Sequence, residues 1–132
     1  MLQILWDLNN NKKYIKLIFF FEILLKMLSF NDIKFKKTSI YNGEIILNNP
    51  ILNTFILIVS YGENINGLGP TTNQYQVSLK TELNKYIQLS DYDDYIGYVS
   101  IEEINEFINL VKNAENINQI KNHFRNNFSD DD

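Results

Sequence analysis

The spacing of apolar residues changes period along this chain, and the changes mark its elements. From Lys12 to Ser29 the polar positions Lys12, Lys16, Glu22, Lys26 and Ser29 fall within one arc at about 100° per residue, which predicts a helix. Phe19 and Ile23 share that arc, so the polar stripe is narrow and the helix is expected to be largely buried. Asn9, Asn10 and Asn11 precede it and offer an N-cap, because an asparagine oxygen accepts from the free amides of a helix start. Before them, Met1 to Leu8 reads as a short strand, with a first helical turn as the alternative.

From Ile33 the period becomes two. Ile33, Phe35 and, after a slip at Lys37–Thr38, Ile40 alternate with Lys34, Lys36 and Ser39, as in a half-solvated strand. Asn42-Gly43 then predicts a hairpin turn, since both residues accept positive φ. Glu44 to Leu47 is the predicted return strand, closed by Asn48-Asn49-Pro50. The segment Ile51 to Tyr61 contains the unbroken run F-I-L-I-V, which predicts a central strand covered on both faces. Gly62 to Thr72 reads as a loop by its glycines and proline, and Tyr75, Val77 and Leu79 alternate as a further strand.

Thr81 is expected to cap a short helix through Leu89, with Leu83, Tyr86 and Ile87 inward; a longer strand is the competing reading. Tyr95 to Val99 reads as a short strand. Ser100 and Glu103 then form an S-x-x-E capping box, with Val99 and Ile104 at the two positions of a hydrophobic staple. Ile101, Ile104, Phe107, Ile108 and Val111 make one apolar helix face. A second helix is expected from about Asn116, with Ile117, Ile120, Phe124 and Phe128 on one stripe, before a frayed tail at 129–132.

With no internal repeat or linker, 1–132 reads as a single α+β domain: a central, mostly antiparallel sheet, a long N-terminal helix and two C-terminal helices. The chain contains no cysteine, which removes disulfides, thiolate zinc sites and a cysteine nucleophile and suits a reducing, cytoplasmic setting. No small-residue cleavage site follows the N-terminal apolar run, so it does not fit a signal peptide. Lys16, Glu22 and Lys26 interrupt the run from Tyr14 to Leu28, which is shorter than the roughly 20 residues a membrane span needs. Charge is divided: residues 1–43 hold seven lysines against three acids, +4, and residues 44–132 hold five basic residues against thirteen acids, −8, together the net −4. The acidic part favours a basic protein partner over nucleic acid.

Candidate chemistry is sparse. His123 is the only histidine, and a metal site needs several convergent ligands, so it reads as a helix-surface residue and no metal or cofactor is expected. The loop G-E-N-I-N-G-L-G-P-T-T lacks the G-K-[ST] ending of a phosphate cradle. Asp91, Asp93 and Asp94 miss the calcium-loop register, with Tyr95 and Ile96 at its fifth and sixth positions. Lys34, Lys36 and Lys37 fit a solvated edge strand, where lysines block strand addition, better than a nucleic-acid face. What remains is the stretch from Ser90 to Val111: tyrosines beside carboxylates give large contact area at low entropic cost. The expected partner-binding residues are Asp91, Tyr92, Asp93, Asp94, Tyr95, Tyr98, Glu102 and Glu106.

The segments S-D-Y-D-D-Y-I-G-Y and E-E-I-N-E, with the small size and acidity of the chain, resemble the immunity proteins of bacterial polymorphic and contact-dependent toxin systems. That resemblance implies a protein that neutralises a cognate toxin, often a nuclease with a basic cleft, its acidic residues standing in for phosphate. A phage-type inhibitor of a host defence protein is the physically similar alternative. Two others are a small enzyme acting through carboxylates, tyrosine and His123, and an oligomer subunit burying Phe124 and Phe128; otherwise a monomer or weak homo-oligomer is expected.

Overall fold

Among the described residues, five antiparallel strands pair in sequence order, β1-β2-β3-β4-β5, and two helices follow them. They are β1 (Lys34–Lys37), β2 (Tyr41–Asn49), β3 (Asn53–Tyr61), β4 (Tyr75–Thr81), β5 (Tyr95–Val99), α1 (Ile101–Asn113) and α2 (Ile117–Phe128). The computed structural model describes residues 28–128. The strand expected over Met1–Leu8, the body of the expected N-terminal helix and the acidic tail lie outside the described residues. The expected end of that helix differs. Ser29 is extended (φ −147°, ψ 176°) and caps a 3-10 turn, Phe30–Asp32, in a capping box of its own. The Asp32 carboxylate accepts from the Ser29 N–H at 2.8 Å.

The α+β architecture expected from the sequence is present in the sheet and the two C-terminal helices. Alternation gives the sheet one inner face. Ile45 and Leu47 of β2 face inward with Phe55, Leu57 and Val59 of β3, Val77 and Leu79 of β4, and Val99 of β5, all buried. Onto this face pack Ile104, Phe107, Ile108 and Val111 of α1, and Ile120 and Phe124 of α2, within one cluster. Phe124 is 1% exposed, so it serves the core and not an interface between subunits. At the far end of the face, aromatic rings replace aliphatic ones. Tyr41 and Tyr61 stack at 4.6 Å and 7°, and Phe30 meets Tyr75 at 5.0 Å.

Three expectations are corrected. The hairpin does not turn at Asn42-Gly43: Lys37 pairs with Tyr41, so Thr38–Ile40 form the loop, and Asn42 and Gly43 lie within β2. Gly43 is required there for space, because a Cβ would overlap Ile33 Cγ2. The central strand β3 is not covered equally on both faces; Ile56 and Ile58 on the outer face are half-buried, and Ile46 beside them is 60% exposed. The segment after Thr81 forms no helix. Thr81 Oγ1 accepts from the N–H groups of Leu83 (3.2 Å) and Lys85 (3.3 Å), which closes a turn instead. Local side-chain bonding of this kind competes directly with helix formation.

The joint between sheet and helices is Asn49, at the last position of β2 and 4% exposed. Its Nδ2 donates to the carbonyls of Val111 (2.8 Å) and Ala114 (2.9 Å), at the end of α1. Its Oδ1 accepts from the N–H groups of Ile51 (2.7 Å) and Leu52 (2.8 Å), in the turn that leads to β3. Helix ends leave carbonyls without intrahelical partners, and here a side chain from the sheet supplies donors to them. All four hydrogen-bonding sites of the amide are used. Asn49→Ala is expected to destabilise the fold by about 2–4 kcal/mol, since buried carbonyls and amides lose their partners together. Asn49→Asp is expected to be at least as damaging, because a carboxylate cannot donate to a carbonyl. Urea unfolding of the two variants checks both outcomes.

Candidate functional site

The connection from β4 to β5 is where the expected contact residues begin, and its path is unusual. After the Thr81 turn the chain returns to the sheet: Tyr86 bridges to Lys80, and the Ile87 N–H donates to the Leu79 carbonyl at 2.8 Å. It then leaves for residues 88–94 and re-enters at Tyr95, opposite Ser78. The partner of β4 is therefore two pieces of strand with an excursion between them. Leu89, fully buried, fixes the excursion to the core.

The excursion ends in an acidic turn. The Asp93 N–H donates to Ser90 Oγ (2.9 Å), and the Ser90 N–H donates to the Asp93 carbonyl (3.2 Å). Gln88 Nε2 donates to the Asp91 carbonyl at 2.8 Å. Arg125 of α2 reaches across and donates from Nη2 to the Ser90 carbonyl at 2.8 Å. Its Nε stands 3.6 Å from Asp91 Oδ1, beyond hydrogen-bond length, and the Asp91 side chain is 71% exposed. An ion pair so exposed contributes little, so the bond to the Ser90 carbonyl is the stronger tether. Asp91, Tyr92, Asp93 and Asp94 are all exposed.

Further along β5 the ladder is interrupted. Tyr75 pairs with Val99 but Val77 pairs with Ile96, so Gly97 and Tyr98 together face Gln76 in a β-bulge. Tyr98 has φ 57°, the left-handed region, and its side chain is 60% exposed. The loop between β3 and β4 holds this bulge. The Tyr98 N–H donates to the Asn66 carbonyl at 2.7 Å, and a Cβ on Gly97 would overlap Asn66 Cβ. The same loop reaches α1 through Asn73, whose Oδ1 accepts from the Ile101 N–H (2.9 Å) and whose Nδ2 donates to Glu102 (3.0 Å). That bond from Asn73 holds the Glu102 carboxyl below its ordinary pKa. The glycine-rich loop is thus a packed brace for the bulge.

Helix α1 begins as expected. Ser100 Oγ accepts from the Glu103 N–H (3.1 Å), and Glu103 Oε1 accepts from the Ser100 N–H (2.9 Å). The staple residues Val99 and Ile104 are both fully buried. Glu106 lies one turn beyond Glu102 and lines an open groove of about 610 Å³ with His123, Leu110, Asn116, Asn118, Gln119 and Asn122. His123 is half-buried at the groove wall. Its ring stacks on Phe107 at 5.6 Å and meets Phe124 edge-on at 4.9 Å.

The eight expected contact residues therefore fall into local groups. Asp91, Tyr92, Asp93 and Asp94 form the turn tied to α2; Tyr98 and Glu102 share the loop that carries Asn66 and Asn73. Tyr95 is half-buried opposite Ser78, and Glu106 belongs to the α1–α2 groove. Sequence reasoning missed Leu83, which it placed inward and which is 88% exposed. It also missed Asn66 and Asn73, for which no motif gives a signal. Among the described residues no three His, Asp or Glu side chains are grouped to hold a metal ion, and no helix is long and apolar enough to cross a membrane. Comparison of the chain with protein-family models, with curated proteins and with solved structures finds no match.

Burial holds the His123 imidazole below its ordinary value of 6.5, while the negative charges of Glu106 and Glu103 oppose the shift without cancelling it. A histidine whose folded pKa is depressed binds its proton more readily when unfolded, so stability rises with pH through this window. Stability is expected to fall as pH drops below 6.5, before the carboxylates titrate. His123→Gln is expected to flatten that slope. Thermal unfolding between pH 7.5 and 5 checks this, and equal slopes in the two proteins would refute it.

Proposed function

We propose that this protein binds a basic protein partner and neutralises it by direct complex formation, the partner being a cognate toxin such as a nuclease with a cationic cleft. The observation that carries the reading is Tyr98. A non-glycine residue in the left-handed region stores roughly 1 kcal/mol of strain, and this one carries a large ring that is 60% exposed while its hydroxyl donates to Asn66 Oδ1 at 3.4 Å. Stability alone favours glycine at such a position. A strained, exposed tyrosine on a braced edge strand is what an interface anchor requires, because it is held in place before the partner arrives. Asp91, Asp93, Asp94 and Glu102 put negative charge near both ends of that strand, which speeds encounter with a basic surface and selects against acidic ones.

The α1–α2 groove favours a second reading, a small carboxylate-dependent enzyme, because it brings Glu106 and the neutral-leaning His123 together. It ranks lower: the imidazole is packed face-on against Phe107 and edge-on against Phe124, and the described lining of the groove is otherwise Leu110 and amides.

The partner is sought by purification from the native host and tested by titration calorimetry. Asp93→Lys and Asp94→Lys are each expected to weaken the complex tenfold or more and to reduce its salt dependence, with unfolding midpoints unchanged. Wild-type affinity in both variants would remove the acidic turn from the mechanism. Tyr98→Gly is expected to separate two properties. It should leave the fold within about 1 kcal/mol of wild type, because relief of strain offsets the lost hydroxyl bond to Asn66, and it should weaken the complex. Greater destabilisation in urea would show that the ring serves the fold.

A further inference from the structure

Carboxylates alone do not explain the surface of the β4–β5 connection. Leu83 is 88% exposed, Tyr92 93% and Tyr86 47%, so three large hydrophobic side chains lie open within ten consecutive residues. Scattered exposed apolar residues are normal on a protein surface; what sets these three apart is that they share one connection, whose far end is acidic. Both tips are rigidly presented. Leu83 sits in the turn closed by Thr81 Oγ1, where the Asn84 N–H also donates to the Thr81 carbonyl at 3.0 Å and Asn84 takes φ 63°. Tyr92 sits at the apex of the Ser90–Asp93 turn, tethered by Arg125. Tyr86 lies between them in the chain, fixed by its bridge to Lys80, whose Nζ stands 6.0 Å from the ring.

We infer that Leu83 and Tyr92 are the apolar anchors by which this protein docks into hydrophobic sockets on a basic protein. The inference rests on the reading of the acidic turn as a contact surface and adds what holds the complex once formed. The charge around Tyr92 selects the partner class: Asp91, Asp93 and Asp94 flank it, whereas Glu82 beside Leu83 is balanced by Lys80 and Lys85, so Leu83 supplies apolar contact alone. These carboxylates repel the anionic headgroups of a lipid surface and attract a cationic protein. The two contributions act on different rates. Exposed carboxylates govern association and its salt dependence, whereas desolvated aromatic and aliphatic anchors govern dissociation. The turns are closed before docking, so the cost of ordering falls on the two exposed side chains and not on the backbone that carries them.

Two synthetic peptides and a vesicle test this with the full chain. One peptide is a helical lysine/leucine amphipath and the other is oligolysine of equal charge. The amphipath is expected to shift the amide resonances of residues 82–94, to bind at least tenfold more tightly than oligolysine, and to lose about tenfold in affinity in Leu83→Ser and in Tyr92→Ser. Oligolysine binding is expected to be unchanged by Leu83→Ser and weakened by Asp93→Lys. Leu83 and Tyr92 contribute little to the core at these exposures, so both serine variants are expected to fold. Equal affinity for the two peptides, or amphipath affinity within twofold of wild type in both serine variants, overturns the anchor assignment and leaves the acidic contact surface standing. Indifference of both peptides to Asp93→Lys instead overturns the contact-surface reading itself. Tighter binding to vesicles rich in anionic lipid than to the amphipath overturns the choice of a protein partner.

Discussion

A single buried amide holds the two layers of this protein in register. Asn49 ends β2, closes the turn into β3 and supplies donors to the last carbonyls of α1, so the sheet and the first helix share one hydrogen-bonded joint. Apolar packing alone lets a helix slide or rotate over a sheet face at modest cost, because dispersion and burial are non-directional. Four directional bonds at one point remove that freedom. The other end of α1 is fixed as well, by its capping box and by Asn73. The helix is thus pinned at both termini by side chains from the sheet's own loops. Everything displayed along the β5–α1 corner inherits its placement from those pins.

The elements legible in the sequence were those whose physics is local. The alternation of Tyr75, Val77 and Leu79 is a strand because its inward residues face the helices, and the Ser100–Glu103 box starts a helix because each side chain answers the other's amide. What misled were residues whose reason is distant. Asn42-Gly43 has the chemistry of a turn, yet Gly43 answers the close approach of Ile33 from the neighbouring part of the chain. Leu83, Tyr86 and Ile87 have helical spacing, yet Thr81 captures the amides that such a helix would use and the chain turns back toward β4. Asn49 beside Pro50 reads as a turn residue, which it is, but its second task depends on a helix end sixty-two residues further on.

The candidate site was legible as a concentration of tyrosine and aspartate, and its internal organisation was not. Spacing gave no sign that Tyr98 sits at a bulge, that Asn66 closes over it, or that Arg125 tethers the acidic turn to the last helix. These contacts divide a continuous stretch of sequence into separately supported patches. They also recast the glycine-rich loop between β3 and β4, whose role is to brace neighbouring backbone.

The split partner of β4 has a consequence for how such a surface diversifies. Residues 86–87 and 95–99 keep the ladder on either side of the excursion, so the register of the sheet does not depend on what lies between. Leu89 is the one side chain of the excursion committed to the interior. From Tyr92 to Asp94 the chain is free of core obligations. Changes of side chain there touch no core residue. The excursion is therefore the part of this sheet edge whose surface can be altered while the paired strands around it stay as they are.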